Sequence, residues 1–197
     1  MTLMDSTPKF AVVGHPNKGK SSVVATLSQN DAIAIALEPG TTRQRQDYPL
    51  KVDGQILYTL VDTPGFQRPR RVMAWLEAHS VAASDRAETV AAFVTQHRDD
   101  PRFTDECELL APLVEGAGII YVVDGSVPYS AEHEAEMTIL RWTGRPSLAL
   151  INQVSYRGEG LYHSIANDPP IVATGMENRV AEDSRSAVVS PCKGTVE

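Results

Sequence analysis

Only two cysteines, Cys107 and Cys192, stand in the 197 residues, and they lie far apart. That excludes a small disulfide-stapled scaffold and a cysteine-based zinc site, and it suits a reducing compartment in which both thiols are structural or incidental. Long apolar runs are missing too. Stretches such as 32–37 and 119–123 fall far short of the roughly 20 residues that span a bilayer. The opening MTLMDSTPKF has no apolar core of a secretory leader. A soluble, cytoplasmic protein is therefore the expectation. Positive charge is not in excess either: 18 Lys and Arg face 25 Asp and Glu, a formal net charge of −7. Broad nucleic-acid binding usually leaves a basic footprint, so it is disfavoured. The one local basic group, Arg68, Arg70 and Arg71, reads as a solvated loop. The five histidines (His15, His79, His97, His133 and His163) have no metal-ligand spacing and read as solvated surface.

What is present is the alternation of a globular α/β domain. KFAVV at 9–13 is a short β-branched run suited to a buried strand, and 21–28 looks helical. The runs 48–52 and 56–61 flank Asp53-Gly54, a hairpin signal, so this pair should be antiparallel. One or two amphipathic helices fit 72–97, another fits 103–114, IIYVV at 119–123 is a second buried strand, 131–142 is helical and SLALI at 147–151 is a last clear strand. Within 131–142, Glu132, Glu134 and Glu136 fall naturally on the exposed face and first turn. The predicted class is a doubly wound, mainly parallel α/β sheet with one antiparallel hairpin. One domain over 8–155 is expected, followed at 156–197 by an uncertain tail with short strand candidates at 171–173 and 187–189.

Gly14-His15-Pro16-Asn17-Lys18-Gly19-Lys20-Ser21 fits G-x-x-x-x-G-K-S. The glycines let the backbone wrap a phosphate chain so that successive amides point inward, and the next helix adds its positive end. In such a loop Lys20 reaches the β- and γ-phosphates, Ser21 offers a hydroxyl to Mg²⁺, and Ser22 extends the phosphate cradle. The pattern arises by chance in roughly one chain in a hundred of this length, and here a strand precedes it and a helix follows. Asp62-Thr63-Pro64-Gly65 ends a predicted strand. A carboxylate there can hold a water of the Mg²⁺ shell, and the Gly65 amide can sense a γ-phosphate. Asp124, at the end of another strand, reads as a loop cap.

Pro39-Gly40-Thr41-Thr42-Arg43 lies between these two motifs, and with it the sequence resembles the GTPases related to Era, TrmE and EngA. The order of phosphate loop, G-T-T-R, hairpin, D-T-P-G and I-x-Y-V-V-D carries the resemblance over 9–151. The stretch LLAPLVEGAGIIYVVDGSVP looks closest to a bacterial branch in which an Era-like G domain precedes a C-terminal domain of unknown function; no counterpart of that second domain is expected within these 197 residues. The resemblance implies GTP and GDP as ligands and GTP hydrolysis as a slow switch. It implies Thr42 as a second Mg²⁺ ligand and Asn17 as a K⁺ ligand, making Lys20, Thr42, Gly65 and Asn17 the catalytic candidates. Phe66 stands where Ras-type proteins carry a water-orienting glutamine; an apolar ring cannot orient water, and the resemblance implies K⁺-aided catalysis instead. By analogy alone, the ribosome or RNA, or a second copy in a nucleotide-dependent dimer, are the partners.

Two departures stand out. The guanine-reading N-K-x-D of these families should follow the last strand, but the chain reads Asn152-Gln153-Val154-Ser155. Only Asn152 matches. Ser190-Pro191-Cys192-Lys193-Gly194 is a faint echo of the element that backs the base, and reads better as coincidence. The alternative function is thus a nucleotide-binding interaction module with a degraded guanine site and little or no turnover.

Overall fold

The computed structural model describes residues 7–28, 44–152 and the backbone of 172–175. Thr42 and the rest of the G-T-T-R segment, Gln153–Ser155, His163, Cys192 and the strand candidate at 187–189 lie outside the described residues. Five strands are β1 (Lys9–Val13), β2 (Gln46–Val52), β3 (Gln55–Asp62), β4 (Gly118–Asp124) and β5 (Ser147–Asn152), and a sixth, β6 (Val172–Gly175), comes from beyond residue 155. They form one sheet in the order β2-β3-β1-β4-β5-β6. All pairs are parallel except β2 with β3. That hairpin turns on Asp53 at φ +50° and Gly54 at φ +80°, the two left-handed residues that a tight two-residue connection needs.

Helices cover both faces, as strand alternation dictates. On β1, Val12 points to the side of α1 (Lys20–Leu27), where Val23 and Val24 meet Leu60, Ile120, Val122 and Leu150. Ala11 and Val13 point to the other side, against α2 (Pro69–His79), α3 (Arg86–His97), α4 (Thr104–Val114) and α5 (Ala131–Trp142). Each fully buried aliphatic or aromatic side chain there contributes about 1.5–3 kcal/mol. A ring cluster of Trp75, Phe93, His97 and Phe103 ties α2, α3 and the start of α4 together, with centroids 4.4–5.3 Å apart. No helix among the described residues is long and apolar enough to cross a membrane.

The structure departs from the sequence-based expectations at three places. Arg68, Arg70 and Arg71 lie not in a loop but at the start of α2, with Pro69 in its first turn. Glu136 is not on the exposed face of α5; it is fully buried, whereas Glu134 is exposed. His133 is buried too, with its Nδ1 2.8 Å from the Ser130 hydroxyl, and burial holds its imidazole below the usual histidine range. Cys107 is a free, buried thiol that burial pushes up to about 11, which makes it a poor nucleophile.

Candidate functional site

The carboxyl ends of β1, β3, β4 and β5 lie along one edge of the sheet, and the chain leaves each of them into a loop of the candidate site. This is the edge where open α/β sheets bind ligands. The loop after β1 is shaped by backbone that only particular residues tolerate. Gly14 sits at φ +139°, and a Cβ there would meet the Val122 carbonyl oxygen at 2.3 Å. Asn17 sits at φ +60° and Gly19 at φ +86°. A Cβ on Gly19 would meet Asn152 Nδ2 at 2.5 Å. Both glycines are therefore demanded by sterics as well as by conformation.

Helix α1 starts directly from this loop. Its first backbone bond runs from the Val23 amide to the Gly19 carbonyl, so the amides of residues 19–22 have no carbonyl of the helix to bind. Its first turn carries no acidic residue. The positive end of the helix is thus left open to an anion. Lys20 is only 7% exposed, and its Nζ donates to the His15 carbonyl at 3.0 Å. Burial pulls its pKa below the usual lysine value, opposed by the charges of Asp62 and Glu136.

Asp62 is fully buried and accepts a hydrogen bond from the Ser21 hydroxyl at 3.0 Å. Thr63 locks the following loop by donating to the Val12 carbonyl at 2.7 Å. Gly65 lies against the phosphate loop, where an added Cβ would sit 2.5 Å from the Pro16 nitrogen. The Phe66 amide donates to the Gly14 carbonyl at 3.2 Å, and its ring is buried in the core rather than facing the loop. At the far end, Asn152 Nδ2 donates to the Lys18 carbonyl at 3.3 Å, while the Asn152 carbonyl accepts the Gly125 amide at 2.7 Å. Lys18 Nζ pairs with Asp124 at 3.0 Å. Burial pushes the Asp124 carboxyl up, but bonds from Ser126 and Lys18 outweigh it and hold the group below the usual range. Asp124 does cap its own loop, through Ser126, and it also tethers the phosphate loop.

A family model described as a 50S ribosome-binding GTPase matches residues 9–153. The chain belongs to this GTPase family. Its curated relatives include the GTPase Der of Thermoanaerobacter sp. (strain X514), 34% identical over 124 residues, or 61% of this chain and 28% of that protein. The GTPase Der of Lactobacillus helveticus (strain DPC 4571) is 41% identical over 85 residues, 41% of this chain and 19% of that protein. The chain thus spans less than a third of the length of these relatives. Among solved structures, Era in complex with MgGDPNP and nucleotides 1506–1542 of 16S ribosomal RNA superposes with a TM-score of 0.52 at 20% identity, covering 85% of this chain and 50% of that one. The likeness extends to the fold: an Era-like G domain with a mostly parallel sheet and one antiparallel pair.

Within this G domain, Gly14, His15, Pro16, Asn17, Lys18, Gly19, Lys20, Ser21, Asp62, Gly65 and Asn152 all converge on one loop; Ser22 follows in the first turn of α1. The Ser21 hydroxyl and the Asp62 carboxylate are hard oxygens of the kind that suits Mg²⁺, the hydroxyl as a direct ligand and the carboxylate through a water of its shell. Two groups escape any motif. Glu136 accepts from the Tyr121 hydroxyl at 2.8 Å and lies 2.9 Å from His15 Nδ1. Glu106, also fully buried, accepts the Gln67 amide at 3.1 Å and the Arg68 amide at 2.6 Å, just ahead of α2.

Proposed function

We propose that the chain binds GTP and GDP with Mg²⁺ and hydrolyses GTP slowly, as a switch. The observation that carries this reading is Lys20: a buried cation held by one loop carbonyl, beside the Ser21–Asp62 pair and the open end of α1. Lys20 has no ionic partner in hydrogen-bond contact among the described residues, which suits an incoming anion better than an apolar site. Phosphate oxygens would replace the His15 carbonyl on Lys20, while the amides of 17–21 surround the chain of phosphates. Ser21 and Thr42 would ligate Mg²⁺, with Asp62 holding it through water; the ion neutralises charge on the β- and γ-oxygens when bound.

Gly65 would turn its amide to the γ-phosphate, and the loop 62–66 would respond when that group leaves. The buried Phe66 ring makes no polar contact with an attacking water, which leaves K⁺ near Asn17 as the supplementary charge. Guanine reading would rest on Asn152 and neighbours outside the described residues. Era is solved with MgGDPNP and ribosomal RNA, and the family description names the 50S ribosome. A ribosomal partner for this chain follows from that likeness only, as the net charge of −7 lends it no general attraction to RNA.

Phosphate release from GTP in Mg²⁺ buffer, beside equilibrium binding of GTP and GDP, tests the proposal. Mg²⁺-dependent release at a low, saturable rate supports the switch. Tight binding with no release above buffer would leave an interaction module instead.

A further inference from the structure

Glu136 lies on α5, outside every phosphate-loop motif, and its carboxylate is completely removed from water. Such a group is costly to bury unless both oxygens are satisfied. Here each oxygen has one partner: Oε2 takes the Tyr121 hydroxyl of β4 at 2.8 Å, and Oε1 faces His15 Nδ1 at 2.9 Å. With the carboxylate as acceptor, Nδ1–H of His15 is the donor. Residue 15 is therefore gripped twice, at its carbonyl by Lys20 and at its imidazole by Glu136. The first grip cannot persist once Lys20 turns to a phosphate. The second can, because Glu136 is anchored from behind by a buried tyrosine.

We propose that Glu136 is a positioning residue: through the His15 imidazole it holds the first bend of the phosphate loop when Lys20 leaves the His15 carbonyl. The contact then matters most with nucleotide bound, so its loss should show chiefly as faster release. The binding half of this proposal rests on the nucleotide reading above, whereas the loop-holding half is visible without ligand.

The test compares six proteins: wild type, His15→Ala, a Glu136→Met/Tyr121→Phe pair that strands no buried hydroxyl, the combination of all three changes, and His15→Gln alone and on the Glu136→Met/Tyr121→Phe background. Release of a fluorescent GDP analogue with Mg²⁺ is measured, together with amide exchange of the loop 14–20 in nucleotide-free protein. His15→Ala and the Glu136→Met/Tyr121→Phe pair should each release nucleotide about tenfold faster, and the combined variant no faster than the worse of them. Loop amides should exchange faster in His15→Ala, the Glu136→Met/Tyr121→Phe pair and their combination, with protection of β4 unchanged. His15→Gln, which restores an N–H donor toward Glu136, should recover release to within about twofold of wild type, but only while Glu136 is present.

Release rates within about twofold of wild type, or losses that multiply in the combined variant, would overturn the proposal. If wild type bound no nucleotide while its loop exchange still responded to the Glu136→Met/Tyr121→Phe pair, the functional reading would fail and the loop-holding role would stand. Unchanged loop exchange in every variant would overturn that role directly.

Discussion

The Ser21 hydroxyl donates to an Asp62 carboxylate oxygen at 3.0 Å across 41 positions of sequence. The contact exists because β1 and β3 are neighbours in register, Val12 opposite Asp62, so the residues that follow them emerge side by side. That pairing brings the two phosphate-side motifs into one site.

Turnover should be faster in KCl than in NaCl, by about tenfold if one well-placed monovalent charge lowers the barrier by ~1.4 kcal/mol. Asn17 sits at φ +60°, so Asn17→Ala would add backbone strain to the loss of a ligand oxygen. Asn17→Gly removes the ligand without that strain and should erase the salt difference. Equal rates in the two salts for wild type would remove K⁺ from the mechanism.

Discrimination between GTP and ATP should be poorer than a complete N-K-x-D provides. Asn152 donates its side-chain amide to the Lys18 carbonyl and, being neutral, offers a base no charge. A hydrogen bond to a charged group is worth roughly 1.5–3 kcal/mol, and an aspartate reading guanine supplies two. Ser155 replaces it with a neutral hydroxyl. Competition of ATP and GTP against a fluorescent GTP analogue should find a preference below about a thousandfold. A larger preference would show that another carboxylate reads the base.

Glu106 gives a pH signature. Burial holds its carboxyl above the usual carboxylate range, against the pull of bonds from the Arg68 and Gln67 amides. A folded-state pKa raised above the unfolded one means that this group's stabilising contribution is full below the unfolded pKa, about 4.3. It is then lost as pH rises through the folded value. Glu106→Gln cannot ionise, so its stability in urea should improve relative to wild type as pH goes from about 4 to about 7. A difference that stays constant, or shrinks the other way, would show that Glu106 is not held neutral by burial.

Local signals made most of this legible in the sequence. Asp53-Gly54 carries its own turn geometry, 119–123 and 147–151 are apolar runs of strand length, and the phosphate loop needs glycines at spots where a Cβ would strike Val122 or Asn152. Burial of charge was harder to read. Glu136 and Glu106 look like ordinary exposed helical acids, because what buries them is contributed by distant residues: His15 and Tyr121 for one, the amides of 67 and 68 for the other. One signal was available. Glu106 shares its helix face with Leu109, Leu110 and Leu113, and Glu136 with Ile139 and Leu140, spacings that place an acid inside the apolar stripe. The four-residue β6 offered no such period, and its place at the sheet edge comes from pairing with β5.

The central claim is that a buried Lys20 awaits a nucleotide's phosphates, and equilibrium titration with a fluorescent GDP analogue in Mg²⁺ tests it most directly. Wild type should bind, and Lys20→Ala should lose at least about tenfold in affinity, since each charge-assisted bond to phosphate is worth roughly 1.5–3 kcal/mol. The variant's fold should persist, because Lys20 Nζ gives up only a single bond to the His15 carbonyl. Equal affinity in wild type and Lys20→Ala, or no binding by wild type, would contradict the account.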